Sequence, residues 1–170
     1  MTAESAPTDV RSDALRLLTN GLYVLTTCVE ETLHSATVSW VTQVSVQPTL
    51  VLVALRRNSR LAQAVRQAHR FVLNILGADQ QALAEQFFTH HIQPAATATD
   101  IGGRPFRMDA GHCPLLTDAL AWLECRLAAE LASPGDHTLI LGEVTAAGVR
   151  RPGQPLVLGM TPWSYGGVAS

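Results

Sequence analysis

The sequence contains no lysine, so all twelve of its basic side chains are arginines. Charged residues make up only 15% of the 170 residues, against 47% hydrophobic residues, and the formal net charge is −2. This balance lacks the basic field on which non-specific nucleic-acid binding depends. Any anionic ligand must therefore be held by arginine, by backbone N–H groups or by hydroxyl groups.

Cysteine is also scarce. Cys28, Cys113 and Cys125 form no C-x-x-C pair, so neither a disulfide framework nor a structural zinc site is indicated, and a reducing cytoplasm is expected. The first thirteen residues lack the pattern of a signal peptide, and no apolar run approaches the length of a membrane span.

Signatures of metal binding and hydrolysis are missing as well. His90-His91 and His112-Cys113 are adjacent pairs, and adjacent residues rarely ligate one ion, so no metal site is expected. There is no G-x-S-x-G motif and no glycine-rich phosphate loop. Acyl or phosphate hydrolysis therefore has little support.

The hydrophobic pattern predicts one mainly β domain with peripheral helices. We expect a flexible tail over 1–8, a domain over 9–160 and an aromatic tail over 161–170. The predicted strands are 22–29, 33–46, 49–55 (central and buried), 70–76, 120–131 (strictly alternating), 137–149 and 156–159. The predicted helices run from Thr8 or Asp9 to Leu18, across 60–69 behind Ser59, and from Asp79 to Phe88, and 89–114 is a long loop. This order suggests a small β-barrel.

The predicted strand 33–46 carries an unusual run of polar side chains. Strict alternation puts Thr37, Ser39 and Val41 on one face and Trp40 and Thr42 on the other. Hydroxyl groups beside a tryptophan suit a flat ligand with a polar edge. The alternative is a solvated strand face rich in serine and threonine.

The segment RRNSR, residues 56–60, lies between a predicted strand and a predicted helix. Ser59 is a good N-cap, and Arg56, Arg57 and Arg60 surround the first amides of the helix. Helix dipole, unpaired N–H groups and guanidinium charge together favour a phosphate. A solubilising turn with a capping serine is the alternative.

His137 begins a predicted strand directly after the turn at 133–136. It is either a structural histidine or a polar contact to a ligand edge.

Taken in order, six segments resemble the flavin reductase-like, FMN-binding split-barrel family, which includes short-chain flavin reductase components and flavoredoxin-like proteins. They are NGLYVLTT, TVSWVTQVSVQPTLVLVAL, RRNSR, FVLNILGADQQALAEQF, PLLTDALAWLEC and GDHTLILGEV. The similarity covers about residues 10 to 160. The resemblance implies a split β-barrel with Greek-key character and peripheral helices.

The resemblance also implies a function. The protein would bind FMN or FAD and reduce it with NADH or NADPH as co-substrate, by hydride transfer to flavin N5. It would be a cytoplasmic homodimer with flavin near the subunit boundary, with a possible oxygenase partner that takes the reduced flavin. Alternatives are an FMN-holding electron-transfer protein without its own NAD(P)H activity, or a non-enzymatic module of the same fold.

The resemblance also implies roles for individual residues in the matching segments. By resemblance, Thr37, Ser39, Trp40, Val41 and Thr42 hold the isoalloxazine edge and ribityl chain. Arg56, Asn58, Ser59 and Arg60 meet the phosphate, and His137 is the catalytic-site residue near flavin and nicotinamide. The chain departs from the commonest pattern at Trp40 and Val41, at Leu61 and Ala62, in the segment 89–114 and in the aromatic tail.

Overall fold

Two antiparallel sheets carry most of the chain in the computed structural model, which describes residues 10–95 and 98–165. The elements, in chain order, are α1 (Val10–Arg16), β1 (Tyr23–Val29), β2 (Thr32–Val38), β3 (Val41–Ser45), β4 (Leu50–Arg56), α2 (Arg60–Ala68), β5 (Arg70–Ile75), α3 (Gln81–Gln86), β6 (His91–Pro94), β7 (Asp100–Ile101), β8 (Arg104–Met108), β9 (Pro114–Leu116), β10 (Ala121–Leu131), β11 (His137–Val149) and a 3-10 helix (Leu158–Met160). The fold is mainly β, with an antiparallel sheet and short helices, as predicted.

The larger sheet has eight strands in the order β3-β4-β11-β10-β5-β1-β2-β6, and the smaller one has the order β7-β8-β9. The helix α2 buries Leu61, Ala62 and Val65 in a core that also contains Phe71 and Ile140. This packing fixes the first turn of α2 beside the end of β4, where the predicted phosphate site lies.

A buried amide joins the two sheets. The side chain of Asn74 in β5 donates to the carbonyl of Val24 at 3.0 Å, and its oxygen accepts from the amide of Leu116 in β9 at 2.8 Å. Because both ends of the amide are paired, a fully buried polar group is accommodated here without the penalty of an unmade hydrogen bond.

The prediction of one strand over 33–46 is wrong. β2 ends at Val38, opposite Tyr23 of β1, whereas β3 begins at Val41, opposite Val53 of β4. Ser39 and Trp40 form the connection between strands on opposite sides of the large sheet. The predicted alternation therefore does not run through this point, because the chain changes strand neighbours there.

The predicted central strand is β4, which lies between β3 and β11 and whose two faces are unequally buried. Val51, Val53 and Leu55 are buried, but the intervening Leu52 and Ala54 are only partly covered. One face of β4 thus belongs to the core, and the other is apolar and incompletely covered. Strict alternation in β10 is likewise interrupted by register shifts at Glu124/Cys125 and Leu127/Ala129.

The segment 89–114 is not a structureless loop, since it contains β6, β7 and β8. The tight turn between β7 and β8 uses Gly102 and Gly103, whose positive φ values of 57° and 77° suit residues without a Cβ. Strands of two to five residues carry too short a pattern for the hydrophobic period to reveal them.

Two further elements differ from the predicted ones at their boundaries. Asp79 does not cap α3, because Gln80 occupies the N-cap position and the Asp79 carboxylate pairs with Arg151 at 2.7 Å. The predicted strand 156–159 is a β-bridge at Val157 followed by the 3-10 helix. The predicted caps Thr8 and Asp9, the tail 1–8 and the last five residues of the aromatic tail lie outside the described residues. No helix in the described ranges is long and apolar enough to cross a membrane.

Candidate functional site

A cleft of about 770 Å³ opens where β2, β4, α2 and β11 come together. Its walls are residues 36–40, 54–56, 59–61, 88–90 and 163–165, with Leu22, His137 and Leu158. A volume between roughly 300 and 1,000 Å³ is typical of sites for small molecules and cofactors. Seven of the ten predicted site residues lie at this cleft: Thr37, Ser39, Trp40, Arg56, Ser59, Arg60 and His137.

The arginine-flanked turn has the predicted geometry. Ser59 is extended at φ −72° and ψ 149°, and its hydroxyl oxygen accepts from the amide of Ala62 at 3.1 Å, which makes it the N-cap of α2. The amides of Arg60 and Leu61 belong to the first turn and have no acceptor within the helix. An anion at this point would meet those N–H groups, the positive end of the helix dipole and Arg60.

Not every member of the turn faces the cleft. Arg57 points away from it, since its guanidinium donates to the carbonyls of Ser133 and Gly135. The prediction that Arg57 belongs to the phosphate site is therefore wrong, because its guanidinium instead holds the turn at 133–136 in place. Asn58 is exposed and does not line the cleft, so its predicted phosphate contact stays a prediction.

The connection between β2 and β3 supplies another wall. Ser39 is 7% exposed, and the carbonyl of Trp40 accepts from the amide of Ala54 at 3.0 Å. The hydroxyl of Thr37 donates to the carbonyl of Ala84 at 2.7 Å, and its amide donates to the carbonyl of Phe87 at 2.8 Å. Thr37 therefore ties α3 to β2 while it lines the cleft.

Val41 and Thr42 lie beyond this wall. Val41 packs against the core, and Thr42 is exposed with its hydroxyl near the carbonyl of Gln43 at 3.4 Å. Neither lines the cleft, and their predicted contacts with a cofactor stay predictions.

His137 occupies the start of β11, opposite Arg56 of β4. Its side chain is 12% exposed, its Nδ1 lies 2.7 Å from Oδ1 of Asp136, and its ring lies 4.6 Å from the ring of Trp40, centroid to centroid. The hydrogen bond from His137 lowers the pKa of Asp136, so the carboxylate stays charged and orients the ring. Nε2 is then the nitrogen left for a ligand.

Sequence reasoning assigned no role to the opposite wall. Phe88 and Trp163 meet edge to face at 4.5 Å, and Tyr165 lies 5.4 Å from Trp40. These aromatic side chains make the cleft suitable for a flat ring. The sequence shows that the segment 161–170 is aromatic, but only the fold shows that Trp163 and Tyr165 line the cleft.

His90 is a further cleft residue to which sequence reasoning assigned no role. It lines the cleft after α3, and its ring stacks on that of His34 at 5.3 Å. Burial, followed by the charges of His34, Arg60 and His91, lowers the pKa of His90 to about 4, so this imidazole is neutral near pH 7. Nothing in an isolated His-His pair distinguishes this placement from an exposed one.

The described residues contain no group of three or more histidine, cysteine, aspartate or glutamate side chains placed to hold a metal ion. The donor groups at the cleft are hydroxyls, amides, guanidinium groups and imidazoles, beside aromatic rings. These groups fit a flat, anionic organic ligand.

Comparison with known proteins agrees with this chemistry. The model of the flavin reductase like domain matches residues 15–162. The chain is 37% identical over 142 residues to an NADPH-flavin oxidoreductase of Streptomyces viridifaciens, covering 84% of this chain and 72% of that protein. It is 33% identical over 105 residues to a probable flavin reductase of Rhizobium meliloti (strain 1021), covering 62% of this chain and only 32% of that longer protein.

Among solved structures, the flavin reductase of the styrene monooxygenase from Pseudomonas putida S12 superposes with a TM-score of 0.72 and 32% identity, covering 88% of this chain and 91% of that one. The family model spans almost the whole sequence, including every segment that builds the cleft from Leu22 to His137. The chain belongs to the family of flavin reductase-like domains.

Proposed function

We propose that the protein is an NAD(P)H-dependent flavin reductase that binds FMN, or FAD, in the cleft. The observation that carries this proposal is the meeting, in one cavity, of the arginine-flanked start of α2 with an aromatic wall built from Trp40, Trp163 and Tyr165. One end offers positive charge and N–H donors, and the other offers ring faces. Membership of the flavin reductase-like family supports the same cofactor.

The chain's own groups would bind and orient the cofactor. Ser59, Arg60 and the first amides of α2 hold the phosphate, and Arg56 adds charge from the end of β4. Ser39 and the connection at Trp40 face the ring and its side chain. A bound flavin supplies the redox chemistry by accepting a hydride at N5.

The remaining walls would position the nicotinamide and exclude water. His137 presents Nε2 beside Trp40, where it can bond a polar edge of either ring system. Trp163 and Tyr165 cover the opposite side of the cleft. Fixing two flat rings between such walls lowers the entropic cost of hydride transfer.

We also propose that residues 9–160 form a split barrel with Greek-key character, and that this cytoplasmic protein works as a homodimer. The dimer is supported by an apolar face that continues from His137: Leu139 and Leu141 lie opposite Ala54 and Leu52, and all four are only partly covered. The structural relative serves a styrene monooxygenase, which supports an oxygenase as the consumer of reduced flavin.

One experiment separates the alternatives. Purified protein is titrated with FMN by absorbance, and oxidation of NADH and NADPH is then followed, with FMN in excess, by the loss of the absorbance of the reduced nicotinamide. Binding of FMN and many turnovers per protein molecule support the proposal. FMN binding without NAD(P)H oxidation indicates an electron-transfer flavoprotein, and no FMN or FAD binding indicates a non-enzymatic module.

A further inference from the structure

His90 lies in the cleft with its hydrogen-bonding capacity unused. Its ring stacks on His34 with an interplanar angle of 24°, and both of its ring nitrogens are buried without a hydrogen-bond partner in the described structure. Nδ1 of His34 is also buried without a hydrogen-bond partner there. Buried polar atoms without partners cost free energy, so a pair of such rings beside a cleft points to a ligand that satisfies them.

The charges around His90 have one sign. Burial opposes a positive charge on its ring most strongly, and His34 from β2, Arg60 from α2 and the adjacent His91 add to that effect. Burial also lowers the pKa of His34, so Arg60 is the permanent cation among these groups. Within residues 10–95 and 98–165, no carboxylate pairs with Arg60 or acts on His90. Among the described residues, this side of the cleft therefore lacks a counter-charge, and an anionic ligand would supply one.

Neither simple packing nor metal binding explains the stacked pair of His34 and His90 as well as an anionic ligand does. As packing, two stacked imidazoles are worse than two apolar side chains, because three ring nitrogens lose their hydrogen bonds to water. As a metal site, the pair lacks a third ligand among the described residues.

We propose that His90, backed by His34, completes with Arg60 a site for a phosphate monoester dianion, and that binding of this anion places a proton on His90. The inference rests on the proposed function, since the site is part of the same cleft. Two ligands of that function carry a phosphate monoester: FMN, at the 5′ position, and NADPH, at the 2′ position. Riboflavin and NADH lack it.

Electrostatics determines the direction in which a bound anion changes the protonation of His90. A dianion within about 4–6 Å favours the charged form of an imidazole, which offsets burial and the neighbouring cations. One proton passes from the solvent to His90, which then donates an N–H to a phosphate oxygen. Affinity for the monoester should therefore increase as the pH falls towards 7, where the phosphate itself is still mostly dianionic because its second pKa is about 6.

The test is titration calorimetry at about pH 7 in two phosphate-free buffers of different protonation enthalpy, which measures the protons taken up on binding. FMN is compared with riboflavin, and NADPH with NADH. We expect an uptake of at least about 0.3 protons with one or both monoesters and none with their partners. The ligand that shows the uptake identifies the source of the phosphate.

The variant His90→Gln keeps polarity and approximate size but does not titrate. It should lose the proton uptake and bind the monoester about tenfold more weakly, with riboflavin binding unchanged. His112→Asn is the matched control, because His112 is exposed, does not line the cleft and has a positive φ of 62° that asparagine tolerates. Its proton uptake should equal that of the wild type.

Binding of FMN and NADPH without proton uptake would overturn the inference, as would an uptake that persists in His90→Gln. Failure of every flavin to bind would refute the proposed function instead. In that case inorganic phosphate is the probe: uptake that depends on His90 supports the anion site, and its absence overturns it.

Discussion

Asp136 and His137, adjacent in the chain, are joined by a hydrogen bond of 2.7 Å between the carboxylate and Nδ1, while the same imidazole packs on Trp40. The carboxylate is mostly exposed and the ring is mostly covered. An exposed anchor thus fixes the orientation of a covered ring at the edge of the cleft. This arrangement orients Nε2 while the carboxylate that anchors the ring stays exposed to solvent.

Replacing His137 by alanine should slow NAD(P)H-dependent flavin reduction by about ten- to a hundredfold, or roughly 1.4–2.7 kcal/mol, because the proposed contact of this imidazole with the reacting rings is lost. FMN affinity should change less. Stopped-flow reduction measures the rate, and a thermal melt measures folding. Asp136→Asn is the companion variant, and it should give a smaller decrease because it only loosens the ring.

A purely structural histidine would give the opposite pattern. The melting temperature of His137→Ala would fall, and turnover per folded molecule would stay the same. An unchanged reduction rate would remove His137 from the site without affecting the case for flavin binding.

Local signals in the sequence predicted the start of α2, where the phosphate site is proposed, well. The N-cap at Ser59 and the start of α2 depend on a few neighbouring residues, and both appear as expected. His137 was placed at the start of a strand because a turn precedes it, and the structure confirms that boundary. Short-range chemistry was sufficient for these features.

Features set by distant contacts were not predictable in this way. Alternation through Ser39 and Trp40 could not show that β2 pairs with β1 and β3 with β4, because a hydrophobic period does not identify the neighbouring strand. The same limit applies to His90, which meets the cleft only because α3 and β6 bring it beside His34. Arg57 could not be separated from Arg60 by spacing alone.

Arg60→Ala should weaken FMN binding by roughly 1–3 kcal/mol, because a charge-assisted contact with the phosphate is lost. Riboflavin, which has no phosphate, should bind the variant and the wild type equally. Fluorescence titration with both ligands measures the ratio of their affinities. Arg57→Ala is the control, since its guanidinium faces away, and it should leave that ratio unchanged. Equal affinities of the wild type for riboflavin and FMN would disprove a phosphate site at Ser59 and Arg60.

The pair Arg66–Glu130 should make stability depend on pH in acid. Arg66, followed by Thr138, donates hydrogen bonds that lower the folded-state pKa of Glu130 from 4.5 to about 2. A depressed carboxylate pKa stabilises the folded state fully above pH 4.5, and this contribution is lost as the pH falls from 4.5 to 2. At neutral pH, the free energy of unfolding of Glu130→Gln should be about 1 kcal/mol lower than that of the wild type. The two values should converge near the lower limit of this pH range.

Urea unfolding at several pH values measures this difference. The control is Glu143→Gln, whose partner Arg126 is 65% exposed, so its effect should be smaller. A constant difference between Glu130→Gln and the wild type over the acid range would show that the charge of Glu130 is not responsible.

The proposed dimer makes a prediction about Leu141. This residue lies between Leu52 of β4 and Ala129 of β10 on the partly covered apolar face that continues from His137. Burying such a face against a second copy removes apolar area from water, and an arginine in its centre would leave a charge there without a partner. Light scattering should give about twice 18.2 kDa for the wild type and about 18.2 kDa for Leu141→Arg.

Val149→Arg is the control on the same strand, because Val149 is already 79% exposed at the far end of β11, and this variant should remain a dimer. If the subunit boundary borders the cleft, Leu141→Arg should also bind FMN more weakly, since one side of the site is then open to water. A wild-type monomer that binds FMN tightly would contradict both statements. A dimer that survives Leu141→Arg would place the interface on another surface, and the cleft would then be complete within one chain.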